Sequence, residues 1–189
     1  MISFTAKADV SWLYGEVNQI SVGDIANINV TLNTNAAPIE RGAKYTTYNL
    51  DYLSINIGSY NEIFSTKSLL IRNNDLVGGF FIDEYHLEGS SNYSYLSLSL
   101  LDTTGTVFSN SNLPTDIPSL SFYQLGSARP SPFAQDDLSF RFKNNYTITG
   151  GVGGTLMSLA APVPEVDTSA MLLMGIGLMF FVARRRQQA

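Results

Sequence analysis

Cysteine is absent from the 189 residues, and histidine and tryptophan occur once each, at His86 and Trp12. Without thiols the chain has no disulfide framework, no thiolate metal site and no cysteine nucleophile. Charge is also scarce, at 14% of residues, and what there is leans acidic, with a net of −5. Up to Pro162 eight Lys and Arg face fourteen Asp and Glu. Nucleic acid is therefore excluded as a partner, because phosphate binding through counterion release needs clustered cations. Three motifs are missing as well: a Gly-x-Ser-x-Gly nucleophile elbow, a phosphate loop and a dinucleotide fingerprint. Met1 to Val10 has neither the basic n-region nor the apolar h-region of an export signal. Ile2, Phe4, Ala6 and Ala8 read instead as a strand already under way, so the expectation is that the chain begins downstream of its true start or is a fragment.

What is present is alternation. Ile2, Phe4, Ala6, Ala8, Val10 and Trp12 take one parity and Ser3, Thr5, Lys7, Asp9 and Ser11 the other, the period of a half-buried strand. Gly15 to Gly23 carries turn chemistry. Ala26, Ile28, Val30 and Leu32 then repeat the pattern, and Asn33 to Lys44, with Pro38 and Gly42, reads as a loop. Leu53, Ile55 and Ile57 form a strand stopped by Gly58, and Leu69 to Ile71 another, closed by Asn73-Asn74-Asp75. Phe80 to Leu87 follows Gly78-Gly79. Leu96, Leu98 and Leu100 lead through a turn at Asp102 to Gly105 into Thr106-Val107-Phe108, a hairpin pattern. Pro114, Pro118, Pro130 and Pro132 bracket an edge strand over Leu120 to Leu125. Leu138, Phe140 and Phe142 alternate again, a turn follows at Asn144-Asn145, and Gly150 to Gly154 reads as a flexible link.

Roughly eight to ten short strands with no helical period among them predict an all-β fold. The expected architecture is an antiparallel β-sandwich, jelly-roll-like, with a closed barrel as the alternative and a single C-terminal hydrophobic helix after it. Removing the tail leaves about 160 residues, enough for one substantial core.

Four constellations bear on chemistry. Glu84, His86 and Glu88 share one face of a strand, about 6.5–7 Å apart, as a ligand row, an acid-base group or a solvated face would. Their opposite parity, Phe81, Tyr85 and Leu87, is the expected core side. Asp136-Asp137 offers hard oxygen ligands but lacks the Asp-x-Asp-x-Asp spacing of a calcium loop, so a turn explains it as well. Ten tyrosines and Trp12 suit a sugar-stacking platform or simply a β core. Among the scattered acids, no two are singled out as the pair that glycoside cleavage requires. The three Asn-x-Ser/Thr sequons at Asn29, Asn92 and Asn145 fit the glycosylation acceptor. No metal or cofactor is expected.

The C-terminus is of a different kind. Ala170 to Ala183 is a run of 14 residues without charge, rich in Ala170, Leu172, Leu173, Ile176, Leu178, Phe180, Phe181 and Val182. A helix of that length covers about 21 Å against a hydrocarbon core of about 30 Å. It spans only with help from Thr168 and Ser169 on one side and snorkelling arginines on the other, which gives a transmembrane helix over 169–183. Arg184, Arg185 and Arg186 form a basic stop that stays on the cytoplasmic side, leaving the body of the chain outside. Upstream lies Val163-Pro164-Glu165.

A Pro-Glu motif, a hydrophobic helix and a terminal arginine cluster, in that order, resemble the PEP-CTERM sorting signal of bacterial envelope proteins. The resemblance covers about 27 residues, with Val166 standing where the family usually has its second proline. Leu96 to Phe108 and Asn112-Leu113-Pro114 also resemble the ectodomains of a loose group of such proteins. The resemblance implies an exosortase in the inner membrane of a Gram-negative bacterium as partner. It implies cleavage near Val163, Pro164 and Glu165 and release of the ectodomain to the cell envelope or outside. Pro164 forces Val163 toward an extended conformation, which suits a protease cleft. The expected organisation is then an exported β-sandwich domain at 1–149, a Gly-rich linker at 150–162 and a sorting signal at 163–189. The expected function is non-enzymatic, a structural or binding role in an envelope or extracellular matrix, with exopolysaccharide as a further partner. The alternatives are a secreted polysaccharide-active hydrolase and a carbohydrate-binding module.

Overall fold

The structure, a computed structural model, describes residues 1–77, 80–102, 108–113, 138–144 and 147–160. The chain is all-β over these residues and its strands are antiparallel, as the alternation predicted. The eleven strands are β1 (Ile2–Gly15), β2 (Ile25–Leu32), β3 (Glu40–Arg41), β4 (Tyr45–Asn49), β5 (Tyr52–Ile57), β6 (Tyr60–Ile63), β7 (Thr66–Val77), β8 (Phe80–Ser90), β9 (Ser94–Asp102), β10 (Leu138–Asn144) and β11 (Thr147–Ala160). Hydrogen bonds join them into one sheet in the order β3-β4-β7-β8-β9-β10-β11-β1-β2-β5-β6. The sheet curls, so that its two wings face each other across the core. Phe4 of β1 meets Tyr85 of β8 edge-on with ring centroids 6.3 Å apart, and Tyr60 of β6 meets Phe140 of β10 at 5.5 Å.

Period two decides which side chains enter that core. Phe4, Ala6, Ala8 and Val10 of β1 and Ala26, Ile28, Val30 and Leu32 of β2 are all buried, paired in register from Ile2 opposite Leu32 to Asp9 opposite Ile25. Leu96, Leu98 and Leu100 do the same for β9, and each fully buried aliphatic side chain stabilises by roughly 1.5–3 kcal/mol. The edges are blunt, a two-residue strand at β3 and a four-residue one at β6, which limits pairing with other chains.

Several expectations are corrected. Gly150 to Gly154 is not a link but part of β11, hydrogen-bonded to β10 on one side and β1 on the other. The folded domain therefore runs to Ala160, past the expected boundary at 149 and into the expected linker. Glycine is required there because the neighbours come close. Trp12 covers Gly153, Tyr14 covers Gly151, and a Cβ on Gly154 would collide with the Asp9 carbonyl oxygen. Aromatic rings laid over strand glycines restore packing that the missing side chains forgo. Asn73-Asn74-Asp75 does not end β7 but forms a bulge opposite Asp83, with Asn74 at a φ of 47°. The parity of β8 breaks beside it, since Ile82 and Asp83 are both buried. Phe81 is consequently 55% exposed, whereas Tyr85 and Leu87 are buried as expected. The predicted loop over Asn33 to Lys44 holds β3, and β4 and β6 had no counterpart in the alternation.

The edge strand at Leu120 to Leu125, the turn after Asp102, Asp136-Asp137 and the helix over 169–183 lie outside the described residues. Among the described residues no helix is long and apolar enough to cross a membrane.

Gly154→Ala separates a strand from a linker by sign. In β11 the added methyl meets backbone and lowers unfolding free energy by about 1–3 kcal/mol. In a flexible link the same change would be neutral or would stabilise slightly, by restricting the unfolded chain. Urea denaturation reads the difference, and a raised midpoint would contradict the pairing.

Candidate functional site

The strands place two polar groupings, one on the β7–β8–β9 part of the sheet and the other at its end beyond the β8–β9 turn. The first is the ladder on the outer face of β7, β8 and β9, where the bulge and the period of β8 bring Glu84, His86 and Glu88 together as the sequence proposed. His86 Nδ1 lies 2.5 Å from Ser99 Oγ and 3.4 Å from Glu84 Oε1, and Nε2 lies 3.1 Å from Glu88 Oε1. Arg72 donates to Glu84 at 2.9 Å and to Asp75 at 3.0 Å, while Tyr95 donates to Glu88 at 2.8 Å. Burial by itself would lower the His86 pKa, but the hydrogen bonds and charges of Glu84 and then Glu88 outweigh it and raise the value. Burial likewise acts to raise Glu84, and His86, Arg72 and Ser99 together bring it below its ordinary value.

When protonated, the imidazole finds acceptors at both nitrogens, Ser99 Oγ and Glu84 Oε1 at Nδ1 and Glu88 Oε1 at Nε2. The Ser99 hydroxyl points its own hydrogen toward Glu84 Oε1, 3.2 Å away. Among the described residues no group of three or more acids and histidines is placed to hold a metal. The arrangement is a hydrogen-bonded, ion-paired ladder that ties β7, β8 and β9.

The second grouping is a cleft at the end of the sheet where Gly15 pairs Gly150. It has a volume of about 390 Å³ and is lined by Glu16, Asn18, Gln19, Tyr60, Tyr93, Phe142, Lys143 and Thr149. Four separate pieces of chain converge there: the turn after β1, the start of β6, the β8–β9 turn and the β10–β11 hairpin. Tyr60 and Phe142 stand nearly perpendicular, 83° apart at 5.3 Å, and Tyr93 is 73% exposed. Behind them Glu62 accepts hydrogen bonds from the hydroxyls of Tyr60, Ser91 and Ser94. That fixes the Tyr60 ring, whose pKa is raised by burial and by the Glu62 carboxylate. Lys143 Nζ donates to Ser90 Oγ at 3.1 Å and to the Ser91 carbonyl at 3.0 Å, pinning the β8–β9 turn that carries Tyr93.

Chemically the cleft offers aromatic faces, two amides, one ammonium and one carboxylate. Glu16 is the single acid among its described lining residues, and Glu62 is already held by three hydroxyls. Paired carboxyls flanking a scissile bond are the requirement for glycoside hydrolysis, and the described lining does not supply them. Of the tyrosines weighed in the sequence, Tyr60 and Tyr93 line this cleft. Trp12 and Tyr14 are not in its lining; their rings lie 5.4 Å apart over the glycines of β11. Glu16, Asn18, Gln19 and Lys143 were missed, since nothing in their spacing sets them apart from ordinary turn and strand-end residues.

A third feature is internal. Asp83 is fully buried opposite Asp102, and its carboxylate accepts the backbone N–H of Asn74 and of Phe108, each at 2.7 Å. It closes the bulge and anchors the segment 108–113, whose Ser111 hydroxyl lies 2.9 Å from that of Thr46. Two N–H donors meet a charge that would otherwise be costly to bury.

Val163, Pro164, Glu165, the membrane-anchor residues and Arg184 to Arg186 lie outside the described residues. No family model, no curated protein and no solved structure matches the chain.

The ladder makes stability depend on pH in a stated direction. His86 is raised from 6.5, so its contribution is complete below about pH 6.5 and disappears as pH rises through the folded-state value. Glu84 is lowered from 4.5, so its contribution is complete above about pH 4.5 and is lost on acidification. His86→Gln should therefore cost up to about 1 kcal/mol near pH 5.5 and less in alkaline buffer. Urea midpoints across pH check this, and a gap that widened toward high pH would contradict the ladder.

Proposed function

We propose that the chain is a non-enzymatic module exported to a Gram-negative envelope or extracellular matrix, sorted and cleaved by an exosortase through its C-terminal signal. The observation that carries the reading is the order of Val163-Pro164-Glu165, an uncharged run from Ala170 to Ala183 and Arg184-Arg185-Arg186. The motif begins three residues after Ala160, the end of β11. Cleavage beside it would leave every described strand with the released domain. The two wings of the curled sheet serve in this reading as the layers of a jelly-roll-like sandwich.

The geometry of β11 supports the orientation. Thr149 lies at the cleft end, and Ala160 is eleven residues further on, about 35 Å along a strand. The last described residue of β11 thus lies at the end away from the cleft, and a tail running from it to the membrane would present the cleft outward. Leu76 and Phe81, 61% and 55% exposed, sit at the far end of the β7–β8 hairpin, on the same side as Ala160. An apolar tip there suits the end that faces lipid during export.

Intact-mass analysis of the protein from its own host gives the test. The mature form should end between Ala160 and Ala170, and Pro164→Ala with Glu165→Ala should accumulate the uncut, membrane-held form. A C-terminus downstream of Arg184 in every wild-type molecule would overturn the reading.

A further inference from the structure

We propose that the cleft between Tyr60, Tyr93 and Phe142 binds a short stretch of neutral polysaccharide, one or two sugar residues at a time, without cleaving it. This names a ligand class for the envelope module and rests on that reading only for its biological setting. Sugar rings present apolar C–H faces that lie on aromatic side chains and hydroxyls that exchange hydrogen bonds with amides and carboxylates. The cleft holds both kinds of group. Tyr93 supplies an open face, Tyr60 and Phe142 supply two walls at a right angle, and Asn18, Gln19 and Glu16 form the polar side.

Three features argue that the surface is built for a ligand. Among the described residues, the Asn18 and Gln19 side chains line the cleft without a hydrogen-bond partner. Gln19 occupies the left-handed region at a φ of 69°, a conformation unusual for a residue other than glycine or asparagine and often associated with function. The walls are fixed before any ligand arrives, through the bonds of Tyr60 to Glu62 and of Lys143 to Ser90 and Ser91, so that little ordering remains to be done on binding. The charges decide the class. One carboxylate and one ammonium line the cleft, and the ammonium is already engaged, so a polyanionic chain finds no cation cluster to hold it.

The experiment uses the full chain in a detergent without a sugar headgroup, titrated calorimetrically with cellotetraose and maltotetraose, with tetragalacturonate as the acidic comparison. At least one neutral tetrasaccharide should bind, and Tyr93→Ala should weaken it by about tenfold or more while leaving the melting temperature unchanged. Asn18→Ala should weaken it less. Binding that Tyr93→Ala leaves untouched, or binding of tetragalacturonate alone, would overturn the proposal. So would no heat from either neutral sugar at about 10 mM, a concentration that reveals even weak sites. The C-terminal mass of the native protein is a separate measurement, so failure here and failure of the sorting assignment are told apart.

Discussion

The close approach of β11 to β1 is the constraint on which the architecture depends. β11 is the seventh of eleven strands and the bridge between the two wings of the sheet. It reaches that place only because its glycines let Trp12, Tyr14 and the backbone of Asp9 come against it. Four glycines in five residues give up side-chain packing and conformational entropy, and a strand so composed would be weak alone. Pairing on both edges and a cover of two aromatic rings offset that loss. Strand pairing then continues outward to short, polar edges, and the curl encloses the core.

The same strand divides the molecule into two ends. At Gly150 the chain is knitted into the cleft, beside the Glu62 hydroxyl cluster and the lysine that holds the β8–β9 turn. Ala160, the last described residue of β11, lies at the other end. On the proposed reading, a binding surface and a tether would sit at opposite ends of one long strand. Between the two ends the ladder of Arg72, Glu84, His86, Glu88 and Ser99 fastens β7, β8 and β9 on their outer face, where apolar packing is not available.

How much of this was legible in the sequence follows from what period two can encode. It identified β1, β2, β5, β9 and β10, whose inward residues are aliphatic or phenylalanine. It passed over β4, whose inward residues are Thr46 and Tyr48, and β6, four residues long with polar Asn61 and Glu62. It misread Asn73-Asn74-Asp75 because a bulge closed by Asp83 looks locally like a turn. It misread Gly150 to Gly154 because glycine's partners, Trp12 and Tyr14, are more than a hundred residues away. Glu84, His86 and Glu88 were found because they lie on one strand. The cleft was not, because its residues come from four segments and only the fold collects them.

The central claim is that the glycine-rich segment is an interior strand. Native-state hydrogen exchange of the backbone amides from Gly150 to Gly154 tests it most directly. The account predicts protection comparable to that of Ala8 and Val10 in β1. Exchange at the rate of an unstructured chain, with β1 still protected, would contradict it.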